Sequence, residues 1–280
     1  MNNLTVKDYS VSGEEFQLVF DEALEMYKTE PQPSLDKLPS YYQSEDYISH
    51  TDSKRNLFEK MYHWVRSYML SKKMAIVSQY TKTETKQILD IGCGTGDFLK
   101  MAQAYKWNVA GIEPDEQARK IASEKTGIEI QHNDWLTEIE DQSFDAVTMW
   151  HVLEHVPNLE EYIASLQRIV KPNGTIFIAV PNFKSHDANH YKESWAAFDV
   201  PRHLWHFSQK SIKVLFEKKQ MKVVKILPMK FDAYYVSLLS EKHKTGKMNL
   251  IKGFYRGFVS NFKAINSSEY SSLIYIIKNN

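Results

Sequence analysis

The stretch Ile88-Leu-Asp-Ile-Gly-Cys-Gly-Thr-Gly-Asp-Phe98 constrains this 280-residue chain more than any other. A short apolar run ends on the acid Asp90. Glycines follow at 92, 94 and 96, and a helix-forming run, Phe98–Ala104, comes next. Glycine lets a backbone turn tightly after a strand and lets a ligand approach the peptide groups. A strand that enters a helix through such a loop is the building unit of a parallel sheet. The pattern downstream agrees. It predicts strands at Gln87–Ile91, Asn108–Ile112, Ile128–Gln131, Phe144–Met149 and Thr175–Val180. Helices are expected at Asp115–Glu124 and Leu159–Val170, with Lys171-Pro-Asn-Gly174 as the turn into the following strand. A helix at about Ser208–Lys219, N-capped by Ser208, then leads to strand Met221–Leu227, and Ser272–Ile277 reads as the last strand.

The flanking regions follow other rules. Apolar residues at helical spacing predict a helix over Glu14–Lys28 and an amphipathic helix from about Ser53 to Gln79. The three prolines of Thr29–Tyr42 suggest an extended linker between them. Pro228–Asn266 is too long for a hairpin loop, and the spacing of its aromatic residues suggests inserted helices. Residues 230–263 carry seven Lys or Arg against two Asp or Glu, a net of +5, although the whole chain sums to zero. A neutral chain is a poor general nucleic-acid binder. The single cysteine, Cys93, excludes an intramolecular disulfide framework and a Cys-rich zinc module. No secretory signal and no run of about 18 apolar residues is visible, so a cytoplasmic protein without a transmembrane segment is expected.

The glycine loop limits the ligand. A dinucleotide fingerprint reads G-x-G-x-x-G, whereas here Asp97 stands in the sixth position. A P-loop is excluded, since no Gly-Lys-Ser/Thr follows. Asp90 suits a cationic ammonium group better than a pyrophosphate. Glu113 ends the second strand about 20 residues on, where an acid can hold two ribose hydroxyls. Asp134-Trp135 follows the third strand, where a carboxylate can accept from an adenine amine and an indole can stack on the base.

These residues, with Phe144-Asp-Ala-Val-Thr-Met-Trp-His-Val-Leu-Glu-His-Val-Pro157, resemble the core of the class I S-adenosylmethionine-dependent methyltransferases. The Leu-Glu-His-Val-Pro stretch is similar to the ubiquinone-biosynthesis O-methyltransferase branch. The resemblance covers roughly Lys86–Leu227. It implies an α/β, doubly wound, seven-stranded Rossmann-like sheet whose last strand is antiparallel. Around it, residues 1–80 are expected as an N-terminal helical cap and 81–280 as the methyltransferase domain, with a helical insert over 228–266. The resemblance further implies S-adenosyl-L-methionine as cofactor. Asp90, Gly92, Cys93, Gly94 and Gly96 would hold its methionine part, Glu113 with Pro114 the ribose, and Asp134 with Trp135 the adenine. Trp150 and His151 occupy a family position near the transferred methyl.

The acceptor side is read from histidines and aromatic residues. A hydroxyl acceptor needs a proton acceptor, and His151 and His206 are the candidates. Tyr42, Tyr47, His50 and His203 are expected to line the acceptor side or fold over the cofactor. His151-Val-Leu-Glu-His155 spells H-x-x-E-H, a zinc-peptidase motif, but Pro157 works against the long helix that chemistry requires. Glu154, His155, His203 and His206 also loosely resemble the metal cluster of small-RNA 2′-O-methyltransferases. The acid expected early in the first cluster is His151 instead, so no metal is assigned. The expected activity is methyl transfer to a small-molecule acceptor, through oxygen. The basic insert would lie beside the acceptor entrance and favour an anionic or amphiphilic substrate. An RNA methyltransferase and a non-catalytic cofactor-binding protein are the alternatives.

Overall fold

The computed structural model describes residues 3–42 and 57–280. Tyr47 and His50 lie outside the described residues. The central sheet joins β4 (Gln87–Ile91), β5 (Asn108–Ile112), β6 (Phe144–Trp150), β7 (Val170–Pro181), β9 (Met221–Pro228) and β10 (Ser272–Asn279) in the order β5-β4-β6-β7-β10-β9. β4 to β7 are parallel, and β10 runs antiparallel between β7 and β9. The sheet therefore has six strands among the described residues. The expected strand at Ile128–Gln131 is reduced to one parallel bridge, Ile112 to Gln131. Lys171–Gly174 is also not a loop before the strand. β7 starts at Val170 opposite Phe144, bulges through these residues, and resumes pairing at Thr175 opposite Ala146.

Alternation along the buried strands sends apolar side chains to both faces, as a covered parallel sheet requires. Leu89, Val147, Met149 and Ile178 pack on α5 (Leu159–Ile169) and α7 (Gln209–Glu217), through Ile163, Leu166, Ile212 and Phe216. Ile88, Ala146, Phe177 and Ile276 face the other way, onto Met74 and Val77 of α1 (Leu57–Tyr80) and onto Phe98 and Ala102 of α2 (Asp97–Ala104). α3 (Glu116–Thr126) follows β5 and adds Ala122 against Leu99 and Cys93. Ser208 caps α7 with a reciprocal Ser211 capping box, and Asp115 caps α3.

The N-terminal region differs from the expected helical cap. Residues 4–30 form strands: β1 (Leu4–Lys7), β2 (Glu15–Asp21) and β3 (Met26–Glu30). Phe16 and Leu18 point inward at a period of two, and this alternation overrides the weaker helical spacing in the same run. Asp21 Oδ1 accepts from Leu24 N–H, and Glu25 takes a positive φ of 55°, which closes the hairpin. β8 (Trp205–His206) adds to β3, so chain returning from the central-sheet half completes this second sheet. Arg202 ties the parts together. Nearly buried, it donates to Asp8 at 2.9 Å and to both oxygens of Asp199 at 2.7 and 3.0 Å.

The insert is helical, as expected: α8 (Asp232–Thr245) and α9 (Leu250–Ser267) form a hairpin. Two short α-helices, α4 (Trp135–Glu138) and α6 (His186–Tyr191), complete the α-helices among the described residues. Asp187 of α6 accepts from Ser260 of α9 at 2.6 Å, and Tyr191 donates to Glu241 of α8 at 2.9 Å.

Candidate functional site

The carboxyl ends of β4, β5 and β6 meet at one crevice. Gly92, Gly94 and Gly96 all have positive φ (70°, 53° and 79°). A Cβ on Gly92 would lie 2.4 Å from Val152, whereas one on Gly94 would meet nothing within 4 Å. The first glycine is thus required for packing, and the second leaves an open approach to the backbone. Glu113 spans the loop, with one carboxylate oxygen accepting from Gly94 N–H at 2.8 Å and the other from Asp115 N–H at 3.0 Å.

Asp90 is buried and accepts from the Thr148 hydroxyl at 2.6 Å. Burial pushes its carboxyl up to about 7, against the Thr148 bond and the nearby Lys73. Burial also lowers the Lys73 ammonium, which sits 4.5 Å from the Trp150 ring centroid. Asp97, the first residue of α2, pairs with Arg66 of α1 and with Lys125 of α3, the latter at 2.8 Å. Burial opposes its ionisation, yet these cations keep its carboxyl below the usual range. α1 is therefore latched onto the glycine loop. Arg66, Lys73, Lys125 and Thr148 were not expected from the sequence. Arg66 and Lys73 sit on a helix read only for its apolar stripe.

The other residues expected at the cofactor differ in their surroundings. Cys93 is a buried free thiol whose pKa burial raises, packed on Leu99 and Ala122. Pro114 is exposed, and its carbonyl accepts from Arg119. Asp134 is exposed with His132 Nδ1 at 2.9 Å, while Trp135 is half-buried against the core. Trp150 packs edge-on against Phe98 at 5.4 Å.

His151 follows β6 directly and has a positive φ of 60°, a conformation that a non-glycine residue rarely adopts outside constrained sites. Its Nδ1 is 3.4 Å from Glu154 Oε1, and its Nε2 is 3.1 Å from Asp232 Oδ2 at the start of α8. Burial works against charging the ring, but the two carboxylates outweigh it and raise the ring to about 9. The insert thus reaches the site through Asp232, a residue that sequence reasoning placed only among the charges of a basic segment.

His206 does not meet the expectation of an acceptor-facing base. The Thr29 hydroxyl donates to the His203 carbonyl at 2.6 Å and so accepts from His206 Nε2 at 2.9 Å. His206 packs edge-on against Phe198, and burial holds its ring well below the ordinary value, so it links β8 to β3 as a neutral group. Tyr42 does reach the histidine cluster, with its hydroxyl 3.0 Å from His155 Nδ1.

Glu154, His155 and His203 bring their donor atoms within 4.8 Å of one another. Nδ1 of His155 faces the Arg202 carbonyl at 3.0 Å, and Nδ1 of His203 faces the Ala197 carbonyl at 2.9 Å. A carbonyl only accepts, so each Nδ1 carries the proton and each Nε2 keeps its lone pair. Glu154 is fully buried, and apart from the approach of His151 Nδ1 at 3.4 Å its oxygens have no hydrogen-bond partner. This donor set is the group among the described residues that could hold a divalent ion.

Residues 61–226 match a family model described as a methyltransferase domain. A ubiquinone biosynthesis O-methyltransferase of Rickettsia prowazekii is 30% identical over 144 residues, covering 48% of this chain and 56% of that protein. Its counterpart from Dechloromonas aromatica is 33% identical over 113 residues, covering 38% and 49%. The chain spans about half the length of these curated relatives. Among solved structures, a SAM-dependent methyltransferase from Archaeoglobus fulgidus aligns over 81% of this chain and 100% of its own, with a TM-score of 0.52 and 17% identity. That likeness speaks for the fold. With the family model covering more than half its length and the glycine-loop crevice in place, this chain belongs to the methyltransferase-domain family.

Proposed function

We propose that the chain methylates a hydroxyl oxygen of a small-molecule acceptor, with S-adenosylmethionine as the methyl source. The observation that carries the cofactor half is the joint placement of buried Asp90, the three positive-φ glycines and Glu113 at adjacent strand ends. Asp90 takes the cofactor's ammonium, the loop N–H groups its carboxylate, and Glu113 the ribose hydroxyls. Asp134 and Trp135 serve the adenine. When bound, S-adenosylmethionine supplies a methyl group already activated on a sulfonium. The protein's share is alignment, exclusion of water and removal of the hydroxyl proton.

Trp150 and Phe98 form the apolar wall at the methyl end. His151 takes the acceptor's proton at Nε2 once the acceptor hydroxyl replaces Asp232 at that atom, and Glu154 beside Nδ1 stabilises the imidazolium that forms. Because the ring is raised to about 9, turnover by this base increases with pH toward that value. The basic α8–α9 hairpin beside the entrance supports an anionic or amphiphilic acceptor. The O-methyltransferase names of the curated relatives support oxygen as the target.

The test is a panel of hydroxyl acceptors with methyl-labelled cofactor. Wild type transfers label to an oxygen. His151→Gln keeps its S-adenosylhomocysteine affinity and loses turnover by about 10²–10⁴-fold, the usual contribution of a general base. Label transferred only to nitrogen or carbon, or undiminished turnover in His151→Gln, would contradict the reading.

A further inference from the structure

α9 is packed with its small side inward. Among its buried residues are Gly253, Gly257, Ser260 and Ala264. A Cβ on Gly253 would come within 2.7 Å of Leu238, and one on Gly257 within 2.7 Å of the Tyr234 backbone, so α8 and α9 approach along small residues. The large apolar side chains point away. Ile251, Phe254, Tyr255, Phe258, Phe262 and Ile265 recur at three- and four-residue steps and form one stripe along the outside. Ile251 is 86% exposed, Phe262 and Ile265 are each 65%, and Phe258 is 57%. Single exposed apolar residues are ordinary, but a contiguous aromatic stripe marks a contact surface.

Charge indicates what covers it. Lys252, Arg256 and Lys263 make an adjacent stripe on the same helix; Lys252 is paired with the buried Glu241 of α8 at 3.1 Å, and no acid occurs between Leu250 and Ser267. Lys230 stands at the rim of a groove of about 340 Å³ that opens on this side, with Phe231, Tyr234, Phe258, Phe262 and Ile265 in its lining. Pairing the face with a second copy would bring two basic stripes into one interface, which like-charge repulsion disfavours. An anionic surface neutralises them. An amphipathic helix with an aromatic face and a cationic flank is suited to lie in the headgroup region of a bilayer. No helix among the described residues is long and apolar enough to cross a membrane, so the contact is peripheral.

We propose that the outer face of the α8–α9 hairpin docks this protein on an anionic bilayer surface. The stripe from Ile251 to Ile265 sits at the headgroup boundary. Lys230 and Lys263 face the lipid phosphates, and the groove takes the end of an acyl chain.

The full chain is tested by co-sedimentation with phosphatidylcholine vesicles, with and without phosphatidylglycerol. It binds the anionic vesicles, ignores the neutral ones and is released by high salt. Phe258→Ser/Phe262→Ser and, separately, Lys230→Glu/Lys263→Glu lower the partition coefficient by about tenfold or more. Circular dichroism and S-adenosylhomocysteine calorimetry verify that both double variants are folded. Absent binding to anionic vesicles, equal binding to neutral ones, or undiminished binding by the folded variants would overturn the proposal. So would a wild-type dimer in sedimentation velocity that ignores vesicles and is broken by Phe258→Ser/Phe262→Ser, since a second copy would then cover the face.

Discussion

On the proposed assignment, Asp90 couples cofactor binding to pH. Its carboxyl, raised by burial to about 7, lies above its unfolded value, so the protonated form favours the fold. That contribution is complete below the unfolded pKa and is lost as pH rises through about 7. An ammonium ligand pairs only with the ionised form. Affinity for S-adenosylhomocysteine should therefore rise between about pH 5.5 and 8, with proton release near neutrality. Calorimetry in two buffers of different ionisation enthalpy measures this, and a flat profile would remove Asp90 from the ammonium site. Arg202 is the stability counterpart. It is 4% exposed and holds both Asp8 and Asp199. Arg202→Met strands these carboxylates and should cost about 3–5 kcal/mol in urea unfolding. A loss below about 1 kcal/mol would mean that water takes over the guanidinium's role.

At the scale of elements, the loop glycines separate stability from binding. Gly92→Ala drives a Cβ into Val152 at a positive φ, and should destabilise the fold by about 1–3 kcal/mol. Gly94→Ala shares the positive-φ strain but meets open space, so it should cost less stability than Gly92→Ala and mainly weaken S-adenosylhomocysteine binding. Comparing thermal midpoints with calorimetric affinities for the two variants checks the contrast, and equal effects on both readouts would contradict it. The strand–loop–helix unit was legible because three glycines and an apolar strand permit few backbones. The helices of the insert were legible too, from their aromatic spacing. The hairpin at Glu15–Glu30 was not. Phe16, Val19, Phe20, Ala23 and Leu24 satisfy helical spacing, while Phe16 and Leu18 satisfy alternation, and pairing with β8 some 175 residues later decides between them. Asp232 was hidden for a similar reason, since only the folded insert brings it to His151.

Across the whole molecule, the methyltransferase sheet and the N-terminal sheet share the segment between β7 and α7. His203 lies there and meets Glu154 and His155 of the turn after β6, where Leu204 N–H donates to the Glu154 carbonyl at 2.8 Å. None of the residues assigned to the cofactor belongs to that cluster. EDTA should therefore leave S-adenosylhomocysteine affinity unchanged, and a chelator-induced loss restored by Zn²⁺ or Mg²⁺ would tie the two sites together. Deleting the α8–α9 hairpin would be a poor probe of the acceptor side, because Ser260 and Glu241 also secure α6. Asp232→Asn is the cleaner change. The most direct test of the account is calorimetric titration of the wild-type chain with S-adenosylhomocysteine and, separately, with NAD. The account predicts binding of the sulfur nucleoside, weakened by a few kcal/mol at most in Glu113→Ala, and little response to NAD. Tight NAD binding with no response to S-adenosylhomocysteine would contradict it.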